Sequence, residues 1–218
     1  MSSPLKITIL SLFPRYFDSP LGVSLMGRAI QKGRIEVERV DIRDFAEGPH
    51  RQVDDRPYGG GPGMVLMAEP IMRALRACRR EDSHVVYLSP RGQALNPFLA
   101  REYSKRSHLI LLCGHYEGVD HRIFSLKGGV DEEISVGNYI LSSGCPAALS
   151  LMDTVVRFVP GVMGNSQSGV GESSREEGGQ APAYTRPVSI EGEEVPSLLL
   201  QGNHQHIQAW RQAQRSPL

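Results

Sequence analysis

The chain has 218 residues, 40% of them hydrophobic and 22% charged, which suits one substantial core or one domain with a small appendage. Its 24 basic and 24 acidic residues give a net charge of zero, excluding a strongly basic whole-chain character, so any contact with nucleic acid has to be local. Cys78, Cys113 and Cys145 show no CxxC spacing, which argues against a disulfide framework or structural zinc and for a reducing compartment, and no apolar run nears the roughly 18 residues of a membrane helix.

The opening residues, MSSPLKITILSLF, lack a basic n-region and a cleavage site, so they read as leading into a first strand and not as a signal peptide. Strands are predicted at residues 6–12 and 35–42, with a helix over 23–32 between them that Gly33 ends. A glycine-rich stretch follows, and then a helix over 69–80 with arginines in its last turns, which suits the helix dipole. A strand at 84–90 precedes a helix over 96–106, with Asn96 as N-cap and Pro97 at its first position. Strands at 108–113 and 132–137 lead to a helix that starts after Cys145 and stops before Pro160, apolar nearly all round and therefore buried or at a subunit interface. Asp153 and Arg157, four apart on it, suit a surface ion pair, although an arginine on a buried helix also invites a functional role. Short apolar strands alternating with helices predict a parallel α/β sheet. Beyond Pro160 the Gly-, Ser- and Glu-rich residues 161–186 read as a mobile linker, followed by a modest tail with a helix from Asn203 to about Gln214.

The stretch DDRPYGGGPGMVL, residues 54–66, resembles a phosphate cradle but fails as one. No lysine follows Gly63 as a P-loop needs, and Met64 stands where a dinucleotide fingerprint needs its third glycine. Pro62 also removes a backbone N–H from any anion nest. Two readings remain: a tight turn passing close to something bulky, or a functional loop, since Asp54, Asp55, Arg56 and Tyr58 are more polar than a bare turn requires.

Ligands of open parallel sheets collect beyond the carboxyl ends of strands. Three such ends carry loops of small residues, LSPRGQ (88–93), CGHYEGVDHR (113–122) and SVGNYILSSG (135–144), and Glu117 offers a carboxylate to a ribose hydroxyl or a cation. His115 with His121, and His204 with His206, make poor metal pairs; no metal site is expected, and any need for Mg²⁺ is not legible here.

In order along the chain, DDRPYGGGPGM, YLSPRG, LLCGHYEGVD, VDEEISVGNYILSSG, RFVPGVMG, YTRP, EVPSLLLQGNH and IQAWR carry a resemblance to the bacterial tRNA (guanine-N1)-methyltransferases of the SPOUT class, from about Lys6 to Arg211. The resemblance implies an α/β, parallel-sheet domain over 1–160 with a deep trefoil knot at about 85–145, the linker at 161–186, and a small, mostly helical C-terminal domain over 187–218. It implies a cytoplasmic homodimer with its active site at the interface. The activity implied is methyl transfer from S-adenosylmethionine to N1 of the tRNA guanosine just 3′ of the anticodon.

By the same resemblance the cofactor would be held by Leu88, Ser89 and Pro90 of the first loop and by Gly114, Tyr116 and Glu117 of the second. The third loop would add Val136, Gly137, Asn138, Tyr139, Ile140 and Leu141, with Gly144 closing it. Asp54, Arg56, Tyr58, Gly59, Gly60 and Ser168 would receive the RNA. Arg157 would stabilise charge developing on guanine O6, and the general base, an aspartate in the family, falls on Glu172, with Glu176 and Glu177 nearby. Glutamate adds one methylene there, which leaves a second reading, a weakened knotted dimer that binds S-adenosylmethionine or RNA without efficient turnover. SSGCPA (142–147) also departs from the family loop, and relatives are expected to continue beyond Leu218 with more helical sequence.

Overall fold

The computed structural model describes residues 3–163 and 181–214. The chain divides into two compact units, Met1–Ser166 and Gln167–Leu218.

The first unit is built on five strands: β1 (Leu5–Ser11), β2 (Ile35–Asp41), β3 (Ser83–Ala94), β4 (His108–Cys113) and β5 (Glu132–Ser135). They lie side by side in the order β2–β1–β4–β3–β5, and every pairing is parallel, as the alternation of apolar strands and helices predicts. The inner strands are buried on both faces, so β4 reads as an unbroken apolar run capped by a buried histidine. Alternate side chains feed two cores. Ile7, Ile9, Leu109, Leu111, Val86 and Leu88 point to one face. Leu10, Ile110, Leu112, Val85 and Tyr87 point to the other.

Helices α1 (Ser24–Gln31), α2 (Ala68–Cys78), α3 (Pro97–Tyr103) and α4 (Gly144–Val156) cover these faces. Local chemistry sets their ends. Gly33 takes φ +61° just after α1, and Asn96 caps α3 by accepting a hydrogen bond from the Leu99 N–H at 2.9 Å. The sequence placed the end of α2 at Arg80, but the helix stops at Cys78 because Arg79 turns extended and is captured elsewhere. Its guanidinium donates to the Gly129 carbonyl at 2.7 Å and to both Asp131 oxygens at 2.8 and 2.9 Å. α4, expected to start after Cys145 and stop before Pro160, starts at Gly144 behind the Ser143 cap and gives way after Val156 to tighter turns, the Phe158 N–H reaching the Val155 carbonyl and the Val159 N–H that of Val156. Strand β3 runs beyond the expected residue 90. Leu88 and Gln93 both register with Ile134, so residues 89–92 loop out between them and the pairing then resumes.

At the amino ends of the strands, His108 is 1% exposed, and both ring nitrogens are engaged, Nε2 with Thr8 Oγ1 at 2.9 Å and Nδ1 with Ser83 Oγ at 2.7 Å. Burial, with Lys6 and Arg80 nearby, lowers its pKa below the ordinary 6.5, despite the opposing pull of Asp82 and Glu38. A depressed folded-state pKa contributes stability that is complete above about pH 6.5 and is lost as the pH falls toward the folded value. The melting temperature should therefore decline between pH 7.5 and 5. His108→Gln should flatten that decline while lowering the midpoint at pH 7.5, as scanning fluorimetry at both pH values would show.

In the second unit, Ser189–Ile190 pairs antiparallel with Glu193–Glu194. A short helix, Ser197–Leu200, and α5 (His204–Ala213) follow, with the Asn203 side chain capping α5 through the N–H groups of Gln205 and His206. Tyr184 and Trp210 meet at a tilt with ring centroids 6.2 Å apart, yet none of residues 181–214 is fully buried. No helix among the described residues is long and apolar enough to cross a membrane.

Candidate active site

A cavity of about 460 Å³ opens beside the looped-out segment of β3 and at the carboxyl ends of β4 and β5, and it draws its walls from that segment and from the loops that follow the other two strands. Its size falls within the roughly 300–1,000 Å³ usual for small-molecule sites. The looped-out segment of β3 contributes Ser89, Pro90 and Arg91 to one side. Gly92 allows the chain to return: a Cβ there would lie 2.4 Å from the Glu133 carbonyl carbon and 2.4 Å from the Ile134 nitrogen.

The second and third loops meet backbone to backbone. The Gly144 N–H donates to the Gly114 carbonyl at 2.8 Å, and a Cβ on Gly144 would come within 2.7 Å of the Gly114 nitrogen. Gly114 leaves room for Tyr87, whose Oη would be 2.8 Å from a Cβ at that position. Burial, with Glu133 nearby, pushes the Tyr87 hydroxyl up to about 12, so it remains a neutral group at the base of the cavity. Tyr116 sits at φ +57°, a conformation rare for a non-glycine residue, and its ring stacks on His115 at 4.6 Å. On the far wall the Tyr139 ring lies across Gly137, where a Cβ would be 2.2 Å from the ring.

Beneath the cavity lies a sulfur pair. Cys145, at the start of α4, is 2% exposed, and its Sγ is 3.2 Å from Ser11 Oγ. A hydrogen bond from the Cys113 thiol, with help from Ser11 and Ser143, outweighs burial and brings Cys145 down to about 6, while Cys113 is raised. All three cysteines are free.

A family model described as tRNA (Guanine-1)-methyltransferase TrmD matches residues 5–217. The chain belongs to this family. Proteins named tRNA (guanine-N(1)-)-methyltransferase are similar to it across 95% of its length: one from Chlamydia trachomatis serovar D at 53% identity, one from Chlamydia pneumoniae at 52% and one from Chlamydia caviae at 51%. The chain spans 58% of the Chlamydia trachomatis protein, 56% of that from Chlamydia pneumoniae and 58% of that from Chlamydia caviae.

Of the cofactor residues that the TrmD resemblance implies, the fold gathers all but Asn138 around the one cavity. Tyr87, Arg91, His115, His121, Ile134 and Ala147 also line it and were not singled out as cofactor residues in the sequence. Tyr87 and Ile134 were hidden inside strand readings, and Arg91 could have been noticed from its place in the LSPRGQ loop. The described members of the RNA-binding set, Asp54, Arg56, Tyr58, Gly59 and Gly60, are not among the residues that line the cavity. Asp54–Asp55 and Val65–Leu66 pair antiparallel, and the glycine-rich loop between them exposes Arg56, Gly59, Gly60 and Tyr58, the last 99% exposed. Gly59, Gly60, Gly61 and Gly63 take φ of +83°, +79°, +121° and +81°, so the run of glycines serves a left-handed path.

Arg157 is not part of the cavity wall. It caps the carboxyl end of α4, half-buried, whereas Gly144 at the other end lines the cavity. Thirteen residues at about 1.5 Å each put the two ends about 20 Å apart. Ser168, Glu172, Glu176 and Glu177, with most of the expected linker, lie outside the described residues.

Proposed function

We propose that the protein transfers a methyl group from S-adenosylmethionine to N1 of the tRNA guanosine 3′-adjacent to the anticodon, as a cytoplasmic homodimer. The observation that carries this reading is the cavity at the strand ends of a chain that belongs to the TrmD family. Its lining suits the donor: Leu88, Val136, Ile140, Leu141 and Ala147 offer apolar surface to an adenine, and Glu117 offers a carboxylate to ribose hydroxyls or the sulfonium. The finer organisation proposed is a trefoil knot over about residues 85–145, a linker over 161–186 and a small C-terminal domain over 187–218.

When bound, the sulfonium donor supplies an electrophilic methyl group. The remaining chemistry belongs to the chain. Guanine N1 carries a proton and is a weak nucleophile until a carboxylate in hydrogen-bond reach takes it; Glu172 is the residue proposed for this. Negative charge then moves toward O6, where the Arg157 guanidinium stabilises it. The exposed glycine-rich loop, with Asp54, Arg56, Tyr58, Gly59 and Gly60, is proposed to receive the RNA together with Ser168, and the target base turns out of its stack to be reached. The separation of about 15 Å along α4 between Arg157 and Ala147, its nearest cavity-lining residue on that helix, supports a site completed by a second copy of the chain.

A single-turnover assay with methyl-labelled S-adenosylmethionine and an unmodified tRNA transcript tests this. Label should appear on guanine N1, and Glu172→Gln should slow the transfer by about 10²–10⁴-fold. Tight donor binding with no transfer to guanosine would leave a binding protein in place of an enzyme.

A further inference from the structure

The glycine-rich segment touches the cavity at one place, and that contact has its own geometry. Residues 64–66 run along residues 117–120 like a short parallel ladder. The Glu117 N–H donates to the Met64 carbonyl at 3.0 Å, the Leu66 N–H to the Gly118 carbonyl at 2.9 Å, and the Asp120 N–H to the Leu66 carbonyl at 2.8 Å. Leu66 and Val119 form a parallel bridge, and both are buried. At the head of this ladder stands Gly63. A Cβ on it would lie 2.5 Å from Glu117 Cγ, 2.7 Å from Glu117 Oε1 and 3.0 Å from Glu117 Cδ. Gly59, Gly60 and Gly61 take the same left-handed backbone with nothing within 4 Å of their would-be Cβ. Gly63 is therefore the member of the run whose missing side chain is filled by another residue, and that residue lines the cavity.

We infer that Gly63 is a positioning residue for the cofactor site: its bare Cα seats the Glu117 side chain, and the ladder below it holds the two loops in one register. The inference rests on the proposed donor cavity and extends it to a residue outside the cavity wall. The glycine-rich loop thus has two parts, an exposed tip over residues 56–61 and a base at Gly63 that fixes a carboxylate by shape alone. Any side chain at position 63 pushes Glu117 off its seat. Displacement by about 1 Å is enough to cost on the order of 10²-fold where orientation matters.

The test is a double-mutant cycle read by isothermal titration of the full-length protein with S-adenosylmethionine. Glu117→Ala should weaken binding at least tenfold. Gly63→Ala should weaken it by a similar factor, and adding Gly63→Ala to Glu117→Ala should change it less than twofold, because the displaced group is already gone. Gly61→Ala imposes positive-φ strain without the collision, so its effect on donor affinity should be smaller than that of Gly63→Ala. If Gly63→Ala unfolds the protein, Glu117→Ala in the same chain should restore a cooperative melt, since it removes the overlapping atoms. Multiplicative losses in the cycle, unchanged affinity in Glu117→Ala, or no rescue of folding would each overturn the assignment. Absence of donor binding by the unmutated protein would instead remove the donor reading, a separate outcome.

Discussion

Arg157→Ala is expected to slow the proposed methyl transfer by about 10²–10³-fold while leaving S-adenosylmethionine affinity within about twofold of the parent. The magnitude is that of removing one preorganised donor from a developing oxyanion, about 2.7–4 kcal/mol. The split follows from position: Arg157 closes the carboxyl end of α4 and takes no part in the cavity wall, which is built at the helix's other end. Titration of the donor and single-turnover rates on the same preparation separate the two effects. An equal loss of affinity and rate would place Arg157 in the support of the cavity instead. Arg157→Lys should recover part of the rate, since it restores the charge without the planar fork that the guanidinium is proposed to offer to O6.

Gly92→Ala, next to the cavity wall at Arg91, is expected to be a strongly damaging alanine substitution. Its Cβ would sit 2.4 Å from backbone atoms of Glu133 and Ile134, and backbone cannot swing aside as a side-chain tip can. Overpacking of this kind costs about 1–3 kcal/mol or more. For a chain of this size that corresponds to a fall of roughly 3–10 °C in melting temperature. Donor affinity should fall with it, because residues 89–91, just before Gly92, form a cavity side that the displaced strand would carry away. Gly22→Ala is the control. Nothing lies within 4 Å of its would-be Cβ, and its stability should remain within about 1 kcal/mol of the parent.

Legibility in the sequence was uneven, for physical reasons. The parallel sheet was readable because its inner strands are buried on both faces and so spell unbroken apolar runs such as HLILLC. Caps were readable at Asn96 and Asn203, where a side-chain oxygen meets free N–H groups within a few residues. The end of α2 was not, since Arg79 leaves the helix for Asp131, 52 positions away, and no local pattern encodes that partner. The excursion of β3 was hidden for the same reason: SPRG looks like a loop that ends a strand, and only the pairing with Ile134 shows the strand resuming. The three loops could be picked out because strand ends in parallel sheets gather ligands. Tyr87 could not, since its role at the base of the cavity depends on Gly114 leaving space for its hydroxyl. The glycine-rich stretch offered a choice between a turn near something bulky and a functional loop. Gly63 against Glu117 satisfies the first description, while the exposed Tyr58 keeps the second in view.

The placement of β1 has a consequence for how the chain is made. Its two neighbours are Ile35–Asp41 and His108–Cys113, and Lys6 registers with His108. The chain must leave the ribosome as far as Cys113 before β1 is flanked on both sides. Until then an apolar strand edge remains open to other nascent chains. Closing contacts over such long sequence separations is intrinsically slow. Synthesis in the cell should therefore depend on chaperone protection of the amino-terminal segment more than its final stability suggests. Depleting early-acting chaperones should lower soluble yield without changing the melting temperature of the protein that survives.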